Sequence, residues 1–130
     1  MVTAGETAGF PLYAAWRAQP LPDDPPARAA QLLHVLREHR GSAHVAAVRV
    51  AGLRPVEAVV ASPGGAREAW FFGWSEDETS LVVDADLTAR RDGAEDLTDA
   101  LAAPAYGALT SADVAELVAL LAAAEEAVRR

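Results

Sequence analysis

Apolar residues recur at helical spacing in two long parts of the chain. Three- and four-residue steps predict one helix over residues 26–40, on a stripe made of Ala29, Leu32, Leu33 and Leu36. The same spacing predicts a last helix that runs to about residue 128. Its stripe consists of Leu109, Val114, Leu117, Leu120 and Leu121.

Residues with special backbone preferences divide the first half of the chain into segments. Asp24 can cap the first long helix, and Gly41 favours a C-terminal stop to it. Ser42 then begins a second segment, which Gly52 ends. A third segment over residues 55–61 begins with a proline, which the first turn of a helix tolerates.

Two capping patterns mark helix starts in the second half. Ser75 with Glu78 has the spacing of a capping box, and Thr110 with Asp113 has the same spacing with aspartate in place of the usual glutamate. A further helix is predicted over residues 94–103.

Four segments of the chain are also compatible with strands. They are rich in valine and aromatic residues, which favour strands, and a Pro-Gly-Gly turn at 63–65 could close a hairpin. An antiparallel meander would use residues 44–50, 56–61, 67–72 and 80–85. Periodicity alone does not decide between this fold and a helical one.

Composition and charge narrow the function classes. The length of 130 residues suits one domain, and the absence of cysteine excludes disulfides and thiolate metal sites. Nineteen Asp and Glu against eleven Arg give a formal net charge of −8. Because an acidic surface repels phosphate, we expect no nucleic-acid partner. With no long apolar run and no signal-like start, we expect a cytoplasmic protein without a membrane segment.

Several short motifs together resemble a known family. They are Leu-Arg-Glu-His-Arg-Gly at 36–41, His-Val-Ala-Ala at 44–47 and Gly-Trp-Ser at 73–75. The chain resembles the C-terminal half of the actinobacterial SalK-like proteins, which are related to MarR-type winged-helix proteins. The resemblance implies helices within residues 42–62, a wing hairpin at 80–88 and a role in secondary metabolism.

The chain departs from those relatives in two respects. They are about twice as long, with an additional N-terminal helical half, and they continue after Gly-Trp-Ser into a long recognition helix. Here residues 76–79 run almost at once into Leu-Val-Val at 81–83. We therefore expect a mostly α fold with a small β-hairpin, a degenerate winged helix over residues 26–130. Residues 1–25 would form an N-terminal arm and proline-rich connector.

The three histidines fall within eleven residues and suggest a site. If Gly41 breaks the helix, His44 can fold back beside His39, next to Glu38. Histidine titrates near neutrality and can act as acid or base, and Arg37 and Arg40 could bind a carboxylate. The sequence thus predicts a catalytic set of His39, His44 and Glu38 without metal or cofactor. A solvated helix end accounts for the same residues.

The densest aromatic cluster in the chain suggests a ligand-binding wall. Trp70, Phe72 and Trp74 could line a pocket for a small apolar or aromatic molecule, with Trp16 closing it from the N-terminus. An ordinary core accounts for the same aromatic residues.

These observations lead to three hypotheses on function. The first is a small-molecule-binding protein of secondary metabolism, or a cofactor-independent accessory enzyme, that uses the histidine–arginine site. The second is a MarR-like transcription regulator. The third is an acidic protein-interaction module. The apolar stripe of the C-terminal helix could pack on its own domain or form a homodimer. The resemblance to MarR-type proteins implies a homodimer through this helix, and the short chain and its apolar composition favour it.

Overall fold

The computed structural model describes residues 9–129 of the chain. Within this range there are seven α-helices and one 3-10 helix. In chain order they are α1 (Pro11–Arg17), α2 (Pro25–Val50), α3 (Pro55–Val60), α4 (Gly65–Phe71), α5 (Glu76–Thr79), α6 (Ala85–Ala102), the 3-10 helix (Ala103–Tyr106) and α7 (Ser111–Val128). The predicted arm over residues 1–25 lies partly outside the described residues, and a domain boundary at residue 25 stays a prediction.

The β part of the fold prediction is wrong. Residues 9–129 contain no strand, so neither the small hairpin nor the four-stranded meander exists there. Three of the four segments fall in α2, α3 and α4, except that residues 61 and 72 come directly after their helices. Residues 80–84 form an irregular connection that leads into α6. Valine-rich backbone becomes a strand only where a neighbouring strand supplies the hydrogen-bond ladder. Helices flank this connection on both sides, and Val82 is 85% exposed.

The predicted helix break at Gly41 is also wrong. Helix α2 is continuous for 26 residues and ends at Val50. Gly52 follows its C-cap residue, and the φ of +67° at this glycine suits a left-handed helix end. There the Leu53 N–H donates to the Val48 carbonyl at 3.0 Å. A glycine inside a helix costs only about 1 kcal/mol. Packing of the buried residues on either side of Gly41 outweighs that cost.

The main core lies between α2 and α6. Ala47 and Val48 of α2 pack with Leu87 and Ala94 of α6, and Leu53 closes the end of this cluster. Helix α1 packs along another side of α2 through Tyr13, which is almost fully buried. Helix α2 is therefore the central element, with α1 and α6 on different faces.

Helices α3, α4 and α5 form a separate small cluster, which we call the three-helix unit (residues 55–79). Val56, Val60 and Ala69 are its buried core, and Trp74 packs against them. The predicted capping box at Ser75 is confirmed: the Glu78 N–H donates to the serine hydroxyl at 3.3 Å, while the Glu78 carboxylate accepts from the Ser75 N–H at 2.9 Å.

Helix α7 stands apart from the rest of the fold. The predicted capping box of Thr110 and Asp113 is confirmed at its start, yet none of its residues is buried. Its axis is bent by 112° from the segment formed by α6 and the 3-10 helix. Among the described helices, none by itself has the length and apolarity to cross a bilayer. The segment Ala85–Tyr106 and helix α7 have that length and apolarity only when they are taken together as one bent pair.

Candidate functional site

His39 lies on the face of α2 that α1 covers. Its ring is contacted edge-on by the rings of Tyr13, at 4.8 Å between centroids, and Phe10, at 5.5 Å. The imidazole is buried, and its Nδ1 has no hydrogen-bond partner among the described residues. Burial lowers the pKa of His39, because removal from water disfavours the charged imidazolium. His39 is thus a neutral packing residue between α1 and α2.

Glu38 is the other buried polar residue on this side of α2. Its carboxylate pairs with Arg37, and its Oε1 lies 3.7 Å from Nε2 of His34. Trp16 reaches the same region from α1, with its ring 4.2 Å from that of His34. Trp16 therefore covers a histidine of α2, and the structure does not place it near the other predicted aromatic residues.

His44 faces α6 instead of α1. Its Nδ1 lies 3.1 Å from Thr98 Oγ1, and the threonine hydroxyl donates to the Ala94 carbonyl at 2.7 Å, so the histidine nitrogen is the donor. Arg40 lies on the same side, and its Nη2 is 2.9 Å from the Glu95 carboxylate. His44 Nδ1 is 3.8 Å from that carboxylate as well. These polar contacts join α2 to α6.

The structure does not bring His39 and His44 together. Without a break at Gly41, a five-residue step turns the second side chain about 140° from the first. The two histidines consequently contact different helices. Glu38, Arg37 and Arg40 do share an open groove of about 570 Å³ beside α1, but both arginines are already paired with carboxylates.

The predicted aromatic wall is mostly exposed. Trp70 and Phe72 are 72% and 59% accessible, while Trp74 is half-buried, with its ring 6.3 Å from that of Phe72. Trp70 and Trp74 line an open groove of about 550 Å³ between α4 and α5, together with Arg67. These residues form an outward-facing surface of the three-helix unit.

The formal charge is distributed unevenly, a feature that the sequence interpretation missed. Residues 9–54 carry six arginines and three carboxylates, whereas residues 55–129 carry four arginines and fifteen carboxylates. The signal was available in the sequence as a charge difference between the two halves. Helices α1 and α2 thus form a basic part of a chain whose net charge is acidic.

Two arginines on either side of α3 are unpaired. Arg49, in the last turn of α2, and Arg67, on α4, are exposed and make no ion pair or hydrogen bond with side chains in residues 9–129. Between them, Arg54 at the start of α3 pairs with Glu57 at 3.0 Å. Free guanidinium groups at this place can bind phosphate.

Comparison with known proteins gives one match. The model of a helix-turn-helix family matches residues 1–130. Neither the curated proteins nor the solved structures yielded a significant match. A helix-turn-helix family suggests a nucleic-acid partner, so the expectation that nucleic acid is not a partner is wrong. It rested on the net charge, which averages over the basic and acidic halves.

Proposed function

We propose that this chain, which belongs to a helix-turn-helix family, is a DNA-binding transcription regulator. The finer resemblance to SalK-like and MarR-type proteins supports the same proposal through the motifs at 36–47 and 73–75. The observation that carries it is the family match together with the three-helix unit, in which two short helices are joined by a tight turn.

Helices α3 and α4 have the form of a helix-turn-helix pair. Four residues, 61–64, connect them, and helix pairs of this kind have a turn of three or four residues that often contains glycine. Buried Val60 and Ala69 hold the two helices against each other. The second helix of such a pair is the one that enters the major groove.

Helix α4 has the size and exposure for that role. An α-helix with its side chains is about 10–12 Å in diameter, which fits a major groove about 12 Å wide. Its outer face presents Arg67, Trp70 and Phe71 to solvent. Apolar side chains can contact the thymine methyl group. We therefore expect selected sites to contain thymine.

Phosphate contacts would come from few residues. The unpaired Arg49 and Arg67 flank α3, whereas residues 55–83 contain five carboxylates and no arginine besides Arg67. Each neutralised phosphate contributes roughly −0.9 to the slope of log affinity against log salt. Two contacts therefore predict a slope near −2, shallow for a DNA-binding protein.

The test is selection of duplexes from a random library, followed by fluorescence anisotropy with the selected duplex between about 50 and 200 mM salt. We expect the double variant Arg49→Ala/Arg67→Ala to bind more weakly and to lose about 2 from the salt slope. The control, Arg28→Ala, removes one charge at the far end of α2, about 31 Å from Arg49 along the helix.

The outcomes separate clearly. The proposal is supported if the selected duplex has the same affinity for the Arg28→Ala variant as for the unchanged chain and a lower affinity for the double variant. Failure to enrich any duplex at the lowest salt would overturn it. Equal losses for the control and the double variant would overturn the assignment of the interface to α3 and α4.

A further inference from the structure

Three consecutive aromatic side chains stand out from the end of α4. We call Trp70, Phe71 and Phe72 the aromatic projection. They are 72%, 80% and 59% exposed, and no other aromatic residue within 9–129 is as exposed as these three. A contiguous exposed apolar patch marks a site of interaction with another molecule. The projection belongs to the helix that the proposed function assigns to DNA.

The backbone at the end of α4 holds the aromatic projection in place. Gly73, with a φ of +97°, reverses the chain directly after Phe72. Its N–H donates to the Trp70 carbonyl at 2.9 Å, and the Trp74 N–H donates to the Ala69 carbonyl at 3.2 Å. These two hydrogen bonds form a Schellman motif, which closes a helix at a left-handed residue. The three rings therefore stand at the tip of a closed helix end.

A series of ring contacts joins this tip to the core. The rings of Phe71 and Phe72 meet edge to face with their centroids 5.8 Å apart, and the rings of Phe72 and Trp74 meet in the same way at 6.3 Å. Trp74 packs against the buried core of the three-helix unit. Because these contacts restrict the rings before any partner binds, less side-chain freedom is lost on binding. The projection is a preorganised apolar surface.

A free guanidinium group lies on the same face of α4 as the projection. Arg67 precedes Trp70 by three residues and Phe71 by four, so the three side chains share the outward face of the helix, away from buried Ala69. A matching partner therefore has a negative group beside flat apolar surfaces. Nucleic acid has this chemistry, because each base is attached next to a phosphate.

We propose that Phe71 inserts between the bases of a pyrimidine–purine step and kinks the duplex, an inference that rests on the proposed DNA-binding function. An intact duplex offers mainly base edges, whose donors and acceptors would lose water to a phenyl ring without gaining a partner. The faces of the bases can stack on an aromatic ring, but only where two stacked base pairs separate. Separation is easiest at TA and CA/TG steps.

Phe71 is the inserting residue because it is the most exposed of the three, with Phe72 against its ring. Each of the steps named above contains thymine on at least one strand, which agrees with the thymine expected in selected sites.

Insertion would supply affinity that the charges of this chain do not. With two unpaired arginines the phosphate contribution is small, so contacts with the bases must provide a larger share of the affinity. Replacing a stacked aromatic side chain with alanine weakens binding by roughly 5- to 150-fold. We expect a loss in this range for Phe71→Ala. The salt slope should stay unchanged, because the variant removes no charge, whereas loss of the arginines lowers that slope.

The first test follows the shape of the selected duplex when the full chain saturates it. Energy transfer between dyes at the two ends reports a kink, and 2-aminopurine in place of an adenine of the step reports unstacking. The unchanged chain should raise both signals, because insertion bends a duplex by roughly 20–90°. Phe71→Ala should raise neither. Leu12→Ala, which removes a 60% exposed side chain of α1, is the control and should act as the unchanged chain does. Circular dichroism checks that both variants fold.

The outcomes of this test are distinct. Failure to enrich any duplex would overturn both the proposed function and the insertion. A bound duplex that stays straight and stacked would overturn the insertion alone. The same follows if Phe71→Ala kinks the duplex as the unchanged chain does, and a change of its mass in sedimentation equilibrium would then assign the projection to a contact between copies.

The second test changes the DNA instead of the protein. Replacing the kinked step with the stiffer AA step should weaken binding of the unchanged chain by about 5-fold or more. The loss should be smaller for Phe71→Ala, because only the inserted ring depends on the flexibility of the step. Deoxyuridine in place of thymine removes the methyl group, keeps the step and should cost less affinity than AA. Equal losses for the two proteins on the AA duplex would contradict the insertion.

Discussion

Helices α6 and α7 are both 18 residues long, yet only α6 is packed into the core. Helix α6 carries seven charged residues and α7 carries four, so the more polar helix is the buried one. Burial in this chain follows the fit of a helix face to its neighbour and not the overall apolarity of the helix.

The fit between α2 and α6 depends on small residues. Ala94, Thr98 and Ala102 recur at four-residue steps on the inner face of α6, and Ala43 and Ala47 lie buried on α2. Small side chains let two helix axes approach closely. The outer face of α6 carries the charges, some of which pair with α2. The apolar stripe of α7 carries larger side chains, which are Val114, Leu117, Leu120 and Leu121.

The largest effect we expect comes from Leu87, the biggest apolar side chain that α6 buries. Leu87→Ala should lower the free energy of unfolding by about 2–4 kcal/mol, because it removes buried methyl groups and leaves a cavity. The measurement is urea unfolding at a protein concentration low enough to keep the chain monomeric.

The matched control for this prediction is Leu121→Ala on α7. Leu121 is 41% exposed, so its truncation should change the stability of the monomer by less than about 0.5 kcal/mol. Similar losses for the two variants would mean that α7 packs on its own domain, and the contrast between the helices would be lost.

The sequence predicted the local features of the fold well. The cap at Asp24 is confirmed, with its carboxylate 3.0 Å from the Ala27 N–H, as are the two capping boxes at Ser75 and Thr110. These features depend on residues three or four apart, whose chemistry is present in any short window of sequence. The first half of α6, by contrast, was not predicted. Leu87 is the one apolar residue larger than alanine among residues 84–93, and residues 80–88 were assigned to a wing hairpin.

The candidate site could be predicted less well. The pairing of His39 with His44 depended on a break at Gly41, and whether a glycine breaks a helix is decided by packing on both sides of it. Residues 80–84 were predicted to form a strand. That prediction could be tested only by knowing whether a second strand lies beside them in the fold. The unpaired state of Arg67 likewise depends on where distant carboxylates fall in the fold.

The next effect in size tests the continuity of α2, on which the packing of α6 depends. Gly41→Ala should raise the free energy of unfolding by roughly 0.5–1 kcal/mol, because alanine favours the helix and a Cβ at this position meets nothing within 4 Å. Gly52→Ala is the control and should destabilise by about 1 kcal/mol, since its φ of +67° disfavours a Cβ. Loss of stability in Gly41→Ala would contradict a continuous helix.

The smallest effect we expect concerns the other packed face of α2, where His39 lies beneath α1. Burial holds its pKa below the ordinary value near 6.5 of an exposed histidine. At pH values between the lowered pKa of His39 in the folded chain and its ordinary pKa in the unfolded chain, the unfolded chain binds a proton that the folded chain excludes. Stability should therefore be complete above about pH 7 and should fall as the pH is lowered towards 5.

His39→Leu should remove part of this decrease, because leucine packs against Phe10 and Tyr13 without a titrating group. Urea unfolding at about pH 7 and about pH 5 measures the difference for both proteins. The window stays above the range of Glu57, Glu78 and Asp113, whose pKa values are lowered by hydrogen bonds at helix starts. An identical decrease in both proteins would place the titrating group elsewhere. It would also mean that the α1 face of α2 does not exclude a charged imidazole.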